Sequence, residues 1–321
     1  MTPFAFVFPG QGSQSVGMLD AWGDHPAVTQ TLQEAADALG QDMAQLIKEG
    51  PKEALALTTN TQPVMLVAGV AAYRAWLAEG GAPPAVVAGH SLGEYSALVA
   101  AGVLRLSDAL PLVRFRAQAM QEAVPVGTGA MAAVLGLDVN KVIAICAEVA
   151  SAAGPNGAET AAQHVVEAVN FNDPLQTVIA GSKQAVEQAC EALKAAGAKR
   201  CLPLPVSAPF HSSLMRPAAE RLRERLACVP LLAPQIPVLN NIDVATPTDP
   251  ALIREALIRQ AAGPVRWVEC VAAIKALGIT TLVECGPGKV LAGLVKRIDA
   301  DLTGVAIYDP ATLAQTKGLL Q

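Results

Sequence analysis

A serine hydroxyl is a weak nucleophile until a nearby base takes its proton. The place to look for one here is Gly89-His90-Ser91-Leu92-Gly93. An apolar run from Ala85 to Ala88 leads into it, and the helix-compatible residues Glu94-Tyr95-Ser96-Ala97-Leu98-Val99 follow. This is G-x-S-x-G between a strand and a helix, the context of a nucleophile elbow. A strand that turns at once into a helix forces a strained backbone at the corner, and glycines at 89 and 93 leave room for it. Ser91 is then lifted to the start of the helix, where N–H groups and the helix dipole favour developing negative charge.

The base must be a histidine, and the chain has four. His90 adjoins the serine, so its side chain leaves on the other side of the corner as a packing or orienting residue. His25 lies in a polar Gly-Asp-His-Pro turn and His164 borders a polar segment; both are expected to be solvated. His211, after Ala208-Pro209-Phe210 at the mouth of a helix, remains as the base. A hydrolase triad would add an acid between serine and histidine in chain order, and no candidate stands out. A backbone carbonyl can orient the imidazole instead.

The bulk numbers exclude several classes. The chain has 321 residues, 52% hydrophobic and 16% charged, with net charge −5 and no long basic run. A packed protein is expected, and nucleic-acid binding is not. Cys146, Cys190, Cys201, Cys228, Cys270 and Cys285 are scattered without a C-x-x-C pair. That argues against zinc and against a disulfide framework, and they read as reduced core thiols of a cytoplasmic protein. No apolar stretch is long enough to cross a membrane. Phe4–Phe8 is too short for a signal segment and reads as the first buried strand. Gly10-Gln11-Gly12-Ser13-Gln14 after it lacks the glycine at 15 that a dinucleotide fingerprint needs; Ser15 stands there.

These residues must be held by a larger frame. Helices are expected over 26–48 and 62–77, and Ser107 reads as the cap of another that carries Arg114 and Arg116. Residues 127–206 then read strand, helix, two strands, helix, strand, the ferredoxin-like order. Within them, 151–163 reads as a surface loop. Beyond, a helix is expected to open at 206–215 and run to about 227. A strand at 238–241, helices at 253–261 and 267–277, a strand at 281–284 and a helix at 290–297 complete the pattern. Strands alternating with helices on both sides of the insertion predict a mostly parallel α/β sheet. The predicted architecture is an α/β-hydrolase-like catalytic domain from 1–126 and 207–321, with a ferredoxin-like small domain at 127–206.

Several motifs recur in a fixed order: Gly10-Gln11-Gly12-Ser13-Gln14, Gly89-His90-Ser91-Leu92-Gly93-Glu94-Tyr95, the Arg116 helix, Asn170-Phe171-Asn172, Ser207-Ala208-Pro209-Phe210-His211 and Gly286-Pro287-Gly288. In this the chain closely resembles the malonyl-CoA:acyl carrier protein transacylases of fatty acid synthesis, over nearly its whole length. The resemblance implies ping-pong transfer of a malonyl group from coenzyme A to the phosphopantetheine thiol of acyl carrier protein, through an ester on Ser91, with His211 as base. It implies an oxyanion hole from the backbone N–H groups of Gln11 and Leu92, and a carbonyl of Gln260 to orient His211. By itself Arg116 reads as a helix-surface arginine; the resemblance makes it the grip on the malonyl carboxylate. His90, Asn170 and Phe210 join as pocket candidates, and Phe210 matches a malonyl-selective pattern in related polyketide acyltransferases. No bound cofactor, no metal and a monomer are expected. Ala117 stands where the family often has glycine, and 151–163 is longer than usual. The alternatives are a serine esterase or thioesterase on the same elbow, a trans-acting acyltransferase of a polyketide pathway, and a non-catalytic carrier-binding subunit.

Overall fold

The computed structural model describes residues 2–152, 164–206 and 208–321. The chain opens with β1 (Phe4–Phe8), then α1 (Pro26–Leu39), α2 (Met43–Glu49), α3 (Lys52–Ala56) and α4 (Thr58–Ala78). Next come β2 (Val86–Gly89), α5 (Gly93–Ala100), α6 (Leu106–Glu122), β3 (Gly129–Leu135) and α7 (Val139–Ser151). β4 (Val166–Asp173), β5 (Gln176–Ser182), α8 (Lys183–Ala195), β6 (Arg200–Pro203) and α9 (Arg216–Ala227) follow. The last third holds β7 (Val238–Leu239), α10 (Pro250–Ala261), α11 (Trp267–Ala276), β8 (Thr281–Cys285), α12 (Val290–Ile298), β9 (Thr303–Ile307) and α13 (Pro310–Leu320).

Two units emerge. The first comprises Met1–Ala117, Arg225–Arg254 and Glu269–Gln321. Its sheet has the order β7-β2-β1-β8-β9, and every pair is parallel. A parallel sheet is covered on both faces, which explains why β1, Phe-Ala-Phe-Val-Phe, is buried at every position without alternation. Trp76 and Tyr73 of α4 meet Phe6 edge-on, with ring centroids 5.6 and 5.8 Å apart. β1 has β2 on one side and β8 on the other, so the strand order reverses there. At such a switch point the loops beyond the carboxyl ends diverge and leave a crevice. The Gly10–Gln14 turn, the Ser91 corner and the Gly286–Gly288 loop all leave this edge.

The second unit comprises Gln118–Glu224 and Glu255–Val268. Its sheet, β4-β5-β3-β6, is antiparallel throughout. Ala132 and Val134 of β3 and Ile179 of β5 form its core with Val142 and Cys146 of α7 and Val186 and Leu193 of α8.

Several details differ from the sequence reading. The helix predicted over 26–48 is two helices. Gly40 adopts a left-handed φ of 60° and ends α1, and the Asp42 carboxylate accepts a 2.8 Å hydrogen bond from Gln45 N–H to start α2. The helix predicted to open at 206–215 begins later, at Arg216, after a single 3₁₀ turn over Ser213–Met215. β9 and α13 lie beyond the last predicted element. The cysteines are not all core residues: Cys146, Cys270 and Cys285 are buried, Cys190 and Cys201 are half-buried, and Cys228 is exposed. The surface loop expected at 151–163 lies, past Ala152, outside the described residues, as does Ser207.

Two packing features have measurable consequences. A Cβ on Gly89 would fall 1.9 Å from the carbonyl carbon of Gly93, and one on Gly93 2.1 Å from the carbonyl oxygen of Phe8. Gly89→Ala is therefore expected to cost about 3 kcal/mol or more, read as a lower urea midpoint at unchanged m-value. The second feature is Glu284, fully buried on β8, whose carboxylate accepts a 2.8 Å hydrogen bond from Ala292 N–H at the start of α12. Burial raises its pKa and the N–H groups of Ala292, Leu291 and Val290 lower it; burial wins and carries it from 4.5 to about 7. A raised folded-state pKa stabilises the protein below the unfolded value, and that stability is lost as pH rises through the folded value. This carboxyl should thus contribute up to about 3 kcal/mol more at about pH 5 than at about pH 8. Glu284→Gln keeps the acceptor for Ala292 and should shrink the difference in urea stability between the two pH values; an unchanged difference would refute the assignment.

Candidate active site

In the first unit, β2 delivers Ser91 to the corner before α5. Its φ is 53°, the left-handed region that non-glycine residues rarely occupy. Its backbone N–H donates to Asn241 Oδ1 at 2.6 Å, and Asn241 Nδ2 donates to Gly89 O at 2.7 Å. Leu92 follows, buried, and its N–H belongs to the opening turn of α5, where amides lack partners within the helix. His90 is half-buried; its N–H donates to Phe8 O at 3.0 Å, tying the corner to β1.

α6 places Arg116 beside the serine. Arg116 is 2% exposed, so it is a core residue and not the surface arginine that its helix alone suggests. Nη2 donates to Ser91 Oγ at 3.3 Å and Nη1 to Gln62 Oε1 at 2.7 Å. The Tyr95 ring lies 5.5 Å from the guanidinium carbon. Burial pulls the Arg116 pKa down, and burial pushes the Tyr95 phenol up to about 12. An arginine keeps its charge regardless. Gln62 Nε2 in turn donates to Thr58 Oγ1 at 3.3 Å, and that hydroxyl donates to Gln11 Oε1 at 3.0 Å. A polar chain thus runs from Gln11 through Thr58 and Gln62 to Arg116 and Ser91. Arg114, two residues before Arg116, bonds Gln41 Oε1 instead, at 2.6 Å. Ala117 is fully buried, a packing residue of α6.

In the second unit, His211 is 5% exposed and also left-handed, with φ 67°. Its Nδ1 lies 3.0 Å from Gln260 O and 3.1 Å from Gly263 O. Carbonyl oxygens only accept, so Nδ1 carries the proton and Nε2 is left with its lone pair. Gln260 sits in the last turn of α10, whose carbonyls lack helical partners and form the negative end of the dipole. Phe210 is buried next to His211. Asn170 of β4 is bracketed by backbone bonds to Val265, with Phe171 N–H to Val265 O at 2.9 Å and Val265 N–H to Val169 O at 2.8 Å. Its Oδ1 is buried and accepts no hydrogen bond among the described residues.

The remaining histidines are not solvated as expected. His25 caps α1 by accepting from Ala27 N–H at 3.2 Å, and His164 is buried with Nε2 3.0 Å from Val149 O. Sequence reasoning missed Gln62, Asn241 and Gly263. Gln62 and Asn241 carry no motif, and only their long-range contacts reveal them. Among the described residues no group of three or more His, Cys, Asp or Glu is placed to hold a metal ion.

The chain resembles known proteins over its whole length. The family model for the acyl transferase domain matches residues 5–306. Malonyl CoA-acyl carrier protein transacylase of Salmonella typhimurium is 54% identical over 315 residues, 98% of each chain. Its Escherichia coli K12 counterpart is 53% identical with the same coverage. The crystal structure of acyl-carrier-protein S-malonyltransferase from Burkholderia pseudomallei superposes with a TM-score of 0.94 at 64% identity, covering 99% of this chain and 100% of that one. A malonyl-transacylase in complex with its type II polyketide acyl carrier protein gives 0.94 at 48% identity, covering 99% and 100%. With a serine corner, a buried arginine and a matching family along the full chain, the protein belongs to the acyl transferase domain family, among the malonyl CoA-acyl carrier protein transacylases.

Proposed function

We propose that the protein moves a malonyl group from malonyl-CoA to the phosphopantetheine thiol of acyl carrier protein, through a malonyl ester on Ser91. The observation that carries this reading is Arg116, a buried guanidinium with Nη2 3.3 Å from Ser91 Oγ. A buried cation next to a nucleophile selects a substrate with a free carboxylate, which a planar guanidinium holds with parallel hydrogen bonds. Acetyl groups have no such handle.

In this reading His211 Nε2 takes the Ser91 proton as Oγ attacks the thioester carbonyl. The tetrahedral oxyanion is held by the N–H groups of Gln11 and Leu92; one such donor is typically worth about 3–4 kcal/mol. Collapse breaks the C–S bond, and the departing CoA thiolate takes the proton from His211. The carrier thiol then gives its proton to His211, attacks the malonyl ester and restores Ser91. Gln260 O, with Gly263 O, holds the imidazole tautomer. Neutral carbonyls stabilise the imidazolium less than a carboxylate would, which suits a thiol acceptor better than water. His90, Asn170 and Phe210 shape the acyl pocket. The chain acts as a monomer in the cytoplasm and binds no cofactor; its small-molecule partner is the coenzyme A thioester.

The finer fold names belong to the same reading: an α/β-hydrolase-like domain from 1–126 and 207–321, and a ferredoxin-like one at 127–206. In support of the latter, β3 lies between β5 and β6 with β4 outermost, the order of a split βαβ pair.

The test is intact mass spectrometry after brief mixing with malonyl-CoA, with and without acyl carrier protein. A malonyl adduct absent from Ser91→Ala and discharged onto the carrier is expected. An adduct that decays to free malonate regardless of carrier would replace the transferase with a hydrolase. Arg116→Ala should lower the malonyl-over-acetyl ratio of kcat/KM by about 10- to 100-fold, the discrimination that a charge-assisted bond of roughly 1.5–3 kcal/mol supports. An unchanged ratio would remove Arg116 from the substrate site.

A further inference from the structure

We propose that Asn241 is a positioning residue for the Ser91 reaction, its carboxamide fixing the peptide groups on both sides of the catalytic corner. The inference rests on the transferase reading above. β7 pairs with β2 in parallel only as far as Val87 with Val238 and Ala88 with Leu239. At Gly89 the backbone ladder ends, because β2 turns into the corner. The Asn241 side chain takes over there. Its Oδ1 accepts from Ser91 N–H at 2.6 Å and its Nδ2 donates to Gly89 O at 2.7 Å. A carboxamide offers one acceptor and two donors on one rigid plane, so it serves as a further peptide rung.

The two bonds straddle His90 and set the orientation of the carbonyl before it and the amide after it. Between them they hold Ser91 at φ 53°, a conformation that costs roughly 1–3 kcal/mol at a non-glycine residue and persists only where its surroundings over-determine it. Asn241 is itself fixed. It is fully buried, and its own N–H donates at 2.9 Å to Glu94 Oε2, a carboxylate 2% exposed in the first turn of α5. Helix, loop and strand end therefore form a closed ring of hydrogen bonds around the serine. The ring has a chemical consequence. Ser91 N–H is engaged by Asn241, so the oxyanion must rely on the next amide along, that of Leu92.

The experiment follows malonylation of Ser91 by rapid quench and intact mass, with rates counted per chain that becomes acylated at saturation. Asn241→Ala should slow acylation by about 100-fold, the scale of a reacting group misplaced by an ångström. The dissociation constant for malonyl-CoA, measured in a Ser91→Ala background, should stay within about twofold, since Asn241 touches no substrate. Asn241→Asp is the isosteric variant and decides the matter if Asn241→Ala does not fold. Its carboxylate can accept from Ser91 but repels Gly89 O. Once protonated it again offers a donor and an acceptor, so its acylation rate relative to the parent should rise as pH falls. A parent-like rate per acylated chain in Asn241→Ala, or a pH-independent ratio in Asn241→Asp, would reduce Asn241 to a structural residue and overturn the proposal. Absence of an adduct on the parent would instead overturn the transferase reading, and this inference with it.

Discussion

The left-handed backbone at Ser91 is the constraint on which the site depends. A side chain on a strand stands roughly perpendicular to the sheet, toward one face or the other. Turning it outward requires a corner tight enough that Gly89 and Gly93 almost touch, and the second of these also presses on Phe8 O. The corner follows two fully buried neighbouring strands, β1 and β2, held in register with Val7 beside Ala88 and Phe8 beside Gly89. Tyr73 and Trp76 of α4 pack edge-on against Phe6 of β1. Strain at one residue is thus balanced by ordinary burial over two strands and a helix.

The second feature is charge without water. Removing Arg116 from solvent is unfavourable, and the surroundings offset this with Gln62, the Tyr95 ring and the nearby Glu94 carboxylate. Low local dielectric makes the same guanidinium a stronger partner for a carboxylate than any surface arginine. Arg114 shows the contrast: two residues away on the same helix, it bonds the polar Gln41 and takes no part in the corner. One helical face decides the difference.

Imidazole orientation by carbonyls is the third. Two backbone oxygens at 3.0 and 3.1 Å from Nδ1 set the His211 tautomer. They bring no formal charge into the site. The helix-end position of Gln260 supplies a partial one.

Features that depend on near neighbours could be read along the chain. The apolar run before Gly89, the glycine spacing and the helix-forming residues after it act within a few positions, so the corner at Ser91 was legible. So were the burial of Phe4–Phe8 and the alternation of strands and helices that gives a parallel sheet. The break at Gly40–Asp42 was written locally but hidden by apolar spacing that runs across it. Features that depend on distant partners were not readable in this way. Asn241 meets Ser91 across 150 residues of chain, and Gln62 meets Arg116 across 54. Neither carries a signal of its own type, because an amide side chain is at home on any surface. Which of two arginines is buried, and which carbonyls face His211, follow from how helices seat against a sheet. Local propensities act over a turn or a strand; hydrogen-bond partners are chosen only when the core closes.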